Sequence, residues 1–225
     1  MIRLGEYNTL EILRETDPGL YLGDTQENVV LLPHRYKPDN FNIGDMLEVF
    51  VYLDYEERPV ATTLTPHVLL NDFGYLHCSD VNEFGAFMDW GVQKQLFVPF
   101  KEQARPMKVG NWYIVYLSMD EQTNRLVGSS KTNKYLNNDS VTLQKFDEIA
   151  IMVTHITDLG ASVIVNGTHK GLIFINDIFE DIRTGDTMKA YVKCVREDNK
   201  IDVVLQSPGY RSIEPNANFI LDELK

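Results

Sequence analysis

The sequence predicts an all-β protein built from three tandem five-stranded OB-type barrels, followed by a short C-terminal helix. Three observations support this: a spaced pair of glycines occurs three times, an alternating strand-like run follows each pair, and each run reaches a polar break and a second β-rich stretch. With 225 residues, the chain is long enough for two or three small domains with separate cores.

The repeat is defined by its glycines. The same interval of 25 residues separates Gly19 from Gly44, Gly85 from Gly110, and Gly160 from Gly185. Self-similarity at a fixed spacing indicates a repeated structural unit, so each copy is predicted to be one domain of roughly sixty residues.

Each copy reads as strands. In the first copy Val49, Val51 and Leu53 alternate with Phe50 and Tyr52, and equivalent runs occur near residues 113–119 and 190–194. Alternation with period two is typical of a strand with one buried face. The polar breaks YEERP, EQTNR and REDNK then predict hairpins.

About five strands per copy cannot bury their faces in a flat sheet, so a small closed Greek-key barrel is predicted. The barrels are assigned to residues 1–66, 67–132 and 148–207. The polar residues 133–147 are assigned to a linker, and residues 208–225 to a second linker and the start of a helix.

Composition excludes several classes. Apolar residues make up 44% of the chain and no apolar run has the length of a membrane span, so we expect a folded cytoplasmic protein without membrane association. Cys78 and Cys194 lack metal-site spacing and are interpreted as reduced. The five histidines are scattered and no phosphate-binding glycine loop is present, so we expect neither an enzyme nor a cofactor or metal site.

Charge is distributed unevenly between the copies. The net charge of −12 argues against a general polyanion binder. Residues 8–63 hold 4 basic and 11 acidic side chains, residues 73–131 hold 6 of each, and residues 148–207 hold 6 basic and 9 acidic. The second copy is therefore the best candidate for binding an anion, and the first copy is better suited to a spacer or to a basic protein partner.

The stretch NEFGAFMDWG carries Phe84 and Phe87 three positions apart. Side chains three apart on a regular strand point to opposite faces. A bulge at Gly85 would bring both rings to one side, because glycine reaches the backbone angles that a bulge needs. The sequence therefore predicts a bulge at Gly85 and a shared surface for the two rings, although a core position for both is the alternative.

A known family has similar motifs. DVNEFGAFMDWG, QLFVP and KVGNWYIVYLSMDEQTNRLVGSSK resemble the RNA-binding barrel of the large ribosomal protein S-one. Three such barrels after the opening LGEYNTLEILRE resemble the conserved virulence factor B family (CvfB/YitL), which are bacterial RNA-binding regulators. Members of that family end in a winged-helix domain, of which this chain would contain only the first helix.

The resemblance implies a set of RNA-contacting positions. In the second copy these are Phe84, Phe87, Asp120 and Arg125, with Pro99 replacing the family's histidine. The rings would stack on bases, Arg125 would bind a phosphate or base, and Asp120 would accept hydrogen bonds or orient Arg125. The basic residues that could extend this surface are Lys101, Arg105 and Lys108 in the second copy. In the third copy, beside Phe174, they are Lys170, Lys189, Lys193, Arg196 and Lys200.

The sequence thus predicts a non-enzymatic protein that binds single-stranded RNA, chiefly through the second barrel, and regulates gene expression after transcription. Plainer interpretations exist for the same residues, because Arg125 could be a solvated hairpin charge and Asp120 could only favour the turn. The alternative function is a protein-interaction adaptor that uses the acidic first barrel and the FGAF face. An oligosaccharide-binding OB module is a third alternative.

Overall fold

The computed structural model describes residues 1–206. The predicted C-terminal helix and winged-helix start fall in residues 208–225 and lie outside the described residues. The prediction of an all-β chain with three five-stranded barrels is confirmed for the described residues, because their fifteen strands form three separate sheets of five.

The first barrel places alternating apolar residues of every strand inside. Its strands are β1 (Glu6–Thr16), β2 (Gly19–Gly23), β3 (Val29–Pro33), β4 (Met46–Leu53) and β5 (Pro59–Thr62). The sheet closes where β3 pairs in parallel with β5, at Leu31 and Val60. A short 3-10 helix, His34–Tyr36, follows β3.

The second barrel has the same strand order but a looser closure. Its strands are β6 (Phe73–Val81), β7 (Gly85–Asp89), β8 (Leu96–Pro99), β9 (Trp112–Asp120) and β10 (Arg125–Ser129), and a 3-10 helix, Phe100–Glu102, follows β8. The hydrogen-bonded order runs β10-β9-β6-β7-β8, without a ladder between β8 and β10. These two strands approach each other through side chains instead. The Val98 side chain of β8 lies so close to Gly128 of β10 that a Cβ added at Gly128 would be only 2.8 Å from Val98 Cγ2.

The third barrel is closed like the first. Its strands are β11 (Glu148–Thr157), β12 (Gly160–Val165), β13 (His169–Phe174), β14 (Thr187–Val195) and β15 (Ile201–Val204), with a 3-10 helix, Ile175–Asp177, after β13. Parallel pairing of Gly171 and Leu172 with Ile201 and Asp202 closes the sheet.

The chain divides into two compact units, residues 1–132 and residues 133–225. Within the first unit the two barrels share apolar packing. Phe50 and Tyr52 of β4 belong to the same buried cluster as the core of the second barrel, and the Phe50 ring lies 5.6 Å from that of Trp90 in an edge-to-face arrangement. The first two barrels therefore pack as one body. The sequence, interpreted as separate domains with separate cores, did not predict this shared packing.

The predicted linker 133–147 is bound to the third barrel. A 3-10 helix, Thr132–Lys134, opens this region. The Asn138 side chain then donates to the carbonyl oxygens of Lys170 (2.8 Å) and Asn199 (2.9 Å) and accepts from the Lys170 backbone N–H (2.7 Å). The Asn138 side chain thus connects this segment both to the start of β13 and to the turn between β14 and β15.

The described part of the chain holds no helix with the length and apolar character needed to cross a membrane.

The first glycine of a repeated pair is required because a side chain would not fit there, and Gly19 allows this to be tested against Gly44. Gly19 has φ +150° and a Cβ at that position would lie 2.0 Å from the carbonyl oxygen of Leu32, whereas Gly44 has φ +95° and open space around it. We expect Gly19→Ala to lower the free energy of unfolding by at least about 2 kcal/mol, because backbone strain and a clash add, and Gly44→Ala by only about 1 kcal/mol. Urea unfolding followed by tryptophan fluorescence measures both, and equal losses would contradict the steric argument.

Candidate functional site

A groove of about 600 Å³ lies on the second barrel, and we call it the second-barrel groove. Its aromatic wall consists of Phe84, Phe87 and Phe97, and its cations are Lys94 and Arg125. Two further residues, Leu53 and Glu57, reach it from the β4–β5 hairpin of the first barrel.

Phe84 lies in the turn before β7 and is 65% exposed. The turn is held by Asn82, whose side-chain oxygen accepts from the backbone N–H groups of Phe84 (2.8 Å) and Gly85 (3.3 Å). Its backbone N–H also donates to the carbonyl of Gly85 (2.9 Å). A short polar side chain therefore fixes the position from which the ring projects.

The predicted bulge at Gly85 is wrong. Gly85 pairs in regular register with Pro99, and the irregularity lies in the partner strand β6, between Cys78 and Asp80. The two rings reach one groove because Phe84 precedes the strand while Phe87 occupies an outward position within it. Glycine is still required at 85, because a Cβ there would lie 2.4 Å from the carbonyl oxygen of Val98.

Phe97 is the ring that sequence reasoning missed. It is half-buried on β8 directly opposite Phe87, and the two ring centroids lie 5.3 Å apart at an interplanar angle of 40°. The signal was present, since in the run LFVP the buried Leu96 and Val98 alternate with Phe97. Together the three rings form the aromatic side of the groove.

Arg125 begins β10 and points its guanidinium at the first barrel. It donates to the carboxylate of Glu57, and the two side chains are 52% and 45% exposed. The predicted cation is therefore in the groove, but it has an acidic partner that the sequence did not reveal.

Lys94 is a second cation of the groove and was not predicted. Its Nζ donates to the backbone carbonyl of Asp54 at 2.7 Å, so it connects the second barrel to the first. Burial lowers the pKa of Lys94, with the charge of Glu57 opposing that shift and the charge of Arg125 adding to it. No local motif marks this residue, because its surroundings arise only when the barrels pack together.

Asp120 is placed at the end of β9, opposite Arg125 in the ladder, and does not line the groove. Its carboxylate accepts from the backbone N–H groups of Gln122 (2.9 Å) and Thr123 (3.1 Å). Hydrogen bonds from Thr123 and Gln122 lower the pKa of Asp120, so it stays ionised. This geometry matches the turn-forming interpretation, and a ligand contact for Asp120 stays a prediction.

The predicted basic track of the second barrel is exposed but separate from the groove. Lys101, Arg105 and Lys108 all lie in the connection between β8 and β9, and none of them lines the groove. None of them therefore shares the groove with the two phenylalanines, although the charge of Lys101 helps to lower the pKa of Asp120, and their contact with a ligand stays a prediction.

A second, smaller groove of about 290 Å³ lies on the third barrel and is cationic. Lys170, Arg196 and Lys200 line it with Asp202, and Arg196 pairs with Asp202 at 2.9 Å. The Arg196 guanidinium lies over the Phe174 ring, 5.4 Å from its centroid.

Of the third-barrel cations predicted from sequence, Lys170, Arg196 and Lys200 line this groove, whereas Lys189 and Lys193 do not. Lys200 also pairs with Asp198 at 2.6 Å. Phe174 is half-buried beneath the arginine, and Lys193 lies outside the groove, paired with Asp177 at 2.7 Å.

Comparison with known proteins supports the predicted resemblance. Residues 4–64 match a family described as the S1 domain. The match falls on the first barrel, the most acidic of the three copies and not the one predicted to be the main RNA-binding barrel. The whole chain is also 26% identical to YitL of Bacillus subtilis (strain 168), an uncharacterized protein of which the alignment covers 77%.

Among solved structures, the chain is similar to a multidomain protein with nucleic acid binding domains from Streptococcus pneumoniae TIGR4. The TM-score is 0.50 at 18% identity, over 95% of this chain and 81% of that chain. At this identity the likeness supports the fold, and the two sequence matches confirm the resemblance to S-one-type barrels and to YitL.

Proposed function

We propose that the chain binds single-stranded RNA through the second-barrel groove, because residues 4–64 match the S1 domain family and the whole chain is similar to YitL. The observation that carries this proposal is the wall of three phenylalanine rings next to two cations. Aromatic rings stack on bases of any identity, and neighbouring cations bind the phosphates. The third-barrel groove would add phosphate contacts.

A single strand fits this site better than a duplex, because bases must be unstacked to reach the rings. The groove volume of about 600 Å³ lies in the range of small-ligand sites, about 300–1,000 Å³, so it can hold a base with part of its sugar. The negative net charge does not oppose this, since the second copy carries balanced charge and the groove holds two cations, Lys94 and Arg125, against one carboxylate, Glu57.

By resemblance, the role of this binding is regulation of bacterial gene expression after transcription, in the cytoplasm and without catalysis. A basic protein partner at the acidic first barrel stays a prediction.

The proposal is tested by titrating the protein into a labelled, unstructured RNA of roughly ten nucleotides and following fluorescence anisotropy. We expect binding that weakens between about 50 and 200 mM salt, because phosphate contacts release counterions. An RNA affinity that does not change with salt concentration, or the absence of RNA binding at both salt concentrations, would contradict the proposal.

A variant locates the phosphate contact. Arg125→Gln should weaken RNA binding and lower the slope of log affinity against log salt by about 0.7, the contribution of one single-strand phosphate. Arg3→Gln is the matched control, since Arg3 is 64% exposed, pairs with a glutamate of its own barrel (Glu6, 2.8 Å) and does not line the groove. Equal slopes for the two variants would place the phosphate contact elsewhere.

A further inference from the structure

Glu57 is a residue of the first barrel that lies in the groove of the second. It lines the same groove as the three rings, and its carboxylate accepts a hydrogen bond from the Arg125 guanidinium. In the protein alone, therefore, the cation best placed for a phosphate already has an anionic partner.

The hairpin that carries Glu57 is held firmly. The backbone N–H of Asp54 donates to the carbonyl of Arg58 (2.9 Å), and its carboxylate accepts from the N–H groups of Glu56 (2.9 Å) and Arg58 (3.0 Å). From the second barrel, Lys94 Nζ binds the Asp54 carbonyl at 2.7 Å. Glu57 is thus presented to Arg125 by a fixed turn that is attached to the second barrel.

The backbone at Glu57 is unusual for its residue type. Glu57 has φ +64°, and the hairpins of the other two barrels place Asn124 (φ +53°) and Asn199 (φ +58°) in the same conformation, each just before a basic residue. Asparagine tolerates the left-handed region far better than glutamate does. The first hairpin departs from this local preference, as Glu27 (φ +64°) does elsewhere in the same barrel, so the backbone angle fixes the position of Glu57 and its contact with Arg125 carries the argument.

We infer that Glu57 is an internal competitor for Arg125, which holds the guanidinium until an RNA phosphate replaces it. This inference rests on the proposed function. A carboxylate and a phosphate make the same charge-assisted contacts with a guanidinium, so one can replace the other at Arg125.

The exchange has a consequence for selectivity. Swapping one anionic partner for another yields little net free energy, so a phosphate alone gains little at Arg125. Only a strand that also places a base on the phenylalanine wall gains enough to displace Glu57. The acidic first barrel therefore raises the threshold for binding at the neighbouring barrel.

The test is anisotropy titration of the full chain with the same short RNA. Glu57→Gln keeps the side-chain length and removes the charge, and we expect it to tighten RNA binding about two- to five-fold, the equivalent of one exposed ion pair. The gain should shrink as salt rises, because the charge on Glu57 is screened. In an Arg125→Gln background the gain should disappear, since the competition requires the arginine.

Glu56→Gln is the matched control. Glu56 belongs to the same hairpin and carries the same charge, but it pairs with Arg58 at 2.9 Å, is 71% exposed and does not line the groove. An equal gain from Glu56→Gln, or a gain from Glu57→Gln that persists without Arg125, would mean a general charge effect and would overturn the inference.

The remaining outcomes separate the two proposals. If the wild-type protein binds RNA and Glu57→Gln leaves the affinity unchanged or lowers it, the inference fails alone, and a loss would mean that Glu57 contacts the bases. If neither protein binds RNA, the proposed function fails and the inference fails with it.

Discussion

Replacing Phe84 and Phe87 together by alanine should weaken binding of a short single-stranded RNA by roughly 30-fold or more. Each stacked base contributes on the order of 1–3 kcal/mol, so loss of two rings costs about 2 kcal/mol at the low end. Phe84 is 65% exposed and Phe87 half-buried, and both line the second-barrel groove. The anisotropy titration that tests the proposed function measures this loss directly.

The single variant Phe84→Ala separates stacking from packing. Phe84 projects from a turn held by Asn82, so removing its ring should leave the fold unchanged, whereas Phe87 also packs on Phe97. The matched control is Phe179→Ala, which removes an equally large ring that is 75% exposed on the other compact unit and lines neither groove. Wild-type affinity in a folded double variant would contradict the proposed site.

The barrel architecture could be predicted from sequence because its signals are local. The glycine interval reflects two local requirements. The first glycine, as at Gly19 and Gly160, lies against a carbonyl oxygen that leaves no room for a Cβ, and the second, as at Gly44 and Gly110, has a positive φ. Strand alternation follows from the buried and exposed faces of each barrel. Both the glycine interval and the strand alternation can be recognised in the sequence without knowing how the strands pair.

The two rings were correctly predicted to share a surface, but the cause was wrong. A bulge leaves two residues of one strand opposite one of the other, and a single stretch of sequence does not reveal which strand carries it. Here it lies in β6 rather than at Gly85. Asn82, two residues before Phe84, was the available signal, because asparagine there favours a turn that keeps Phe84 out of the strand.

The contribution of the first barrel to the groove could not be predicted, because it depends on packing between barrels. Lys94 and Glu57 lie in different copies, 37 positions apart in the numbering, and no periodicity relates them. The one sequence clue is a glutamate at a hairpin position where the other copies have asparagine. The role of this glutamate, Glu57, is seen only in the folded structure, where its carboxylate contacts Arg125.

Phe50→Ala should lower the free energy of unfolding of the unit 1–132 by about 3–5 kcal/mol, although Phe50 belongs to the first barrel. Its side chain is fully buried, lies edge-to-face on Trp90 at 5.6 Å and on Tyr7 at 5.9 Å, and stacks on Tyr52 at 6.2 Å. Truncation leaves a cavity between the barrels that rigid sheets on both sides cannot fill.

Tryptophan fluorescence during urea unfolding isolates this effect, because the two tryptophans of the chain, Trp90 and Trp112, both lie in the second barrel. We expect the urea midpoint of the fluorescence transition to fall by about 1–5 M, given slopes of about 1–3 kcal/mol per molar urea. The same Phe179→Ala variant should leave the midpoint unchanged.

If the two barrels unfolded independently, a cavity made by a residue of the first barrel would not change the midpoint of a fluorescence transition that arises in the second. An unchanged midpoint for Phe50→Ala would therefore contradict the shared core, and with it the fixed placement of Glu57 beside Arg125.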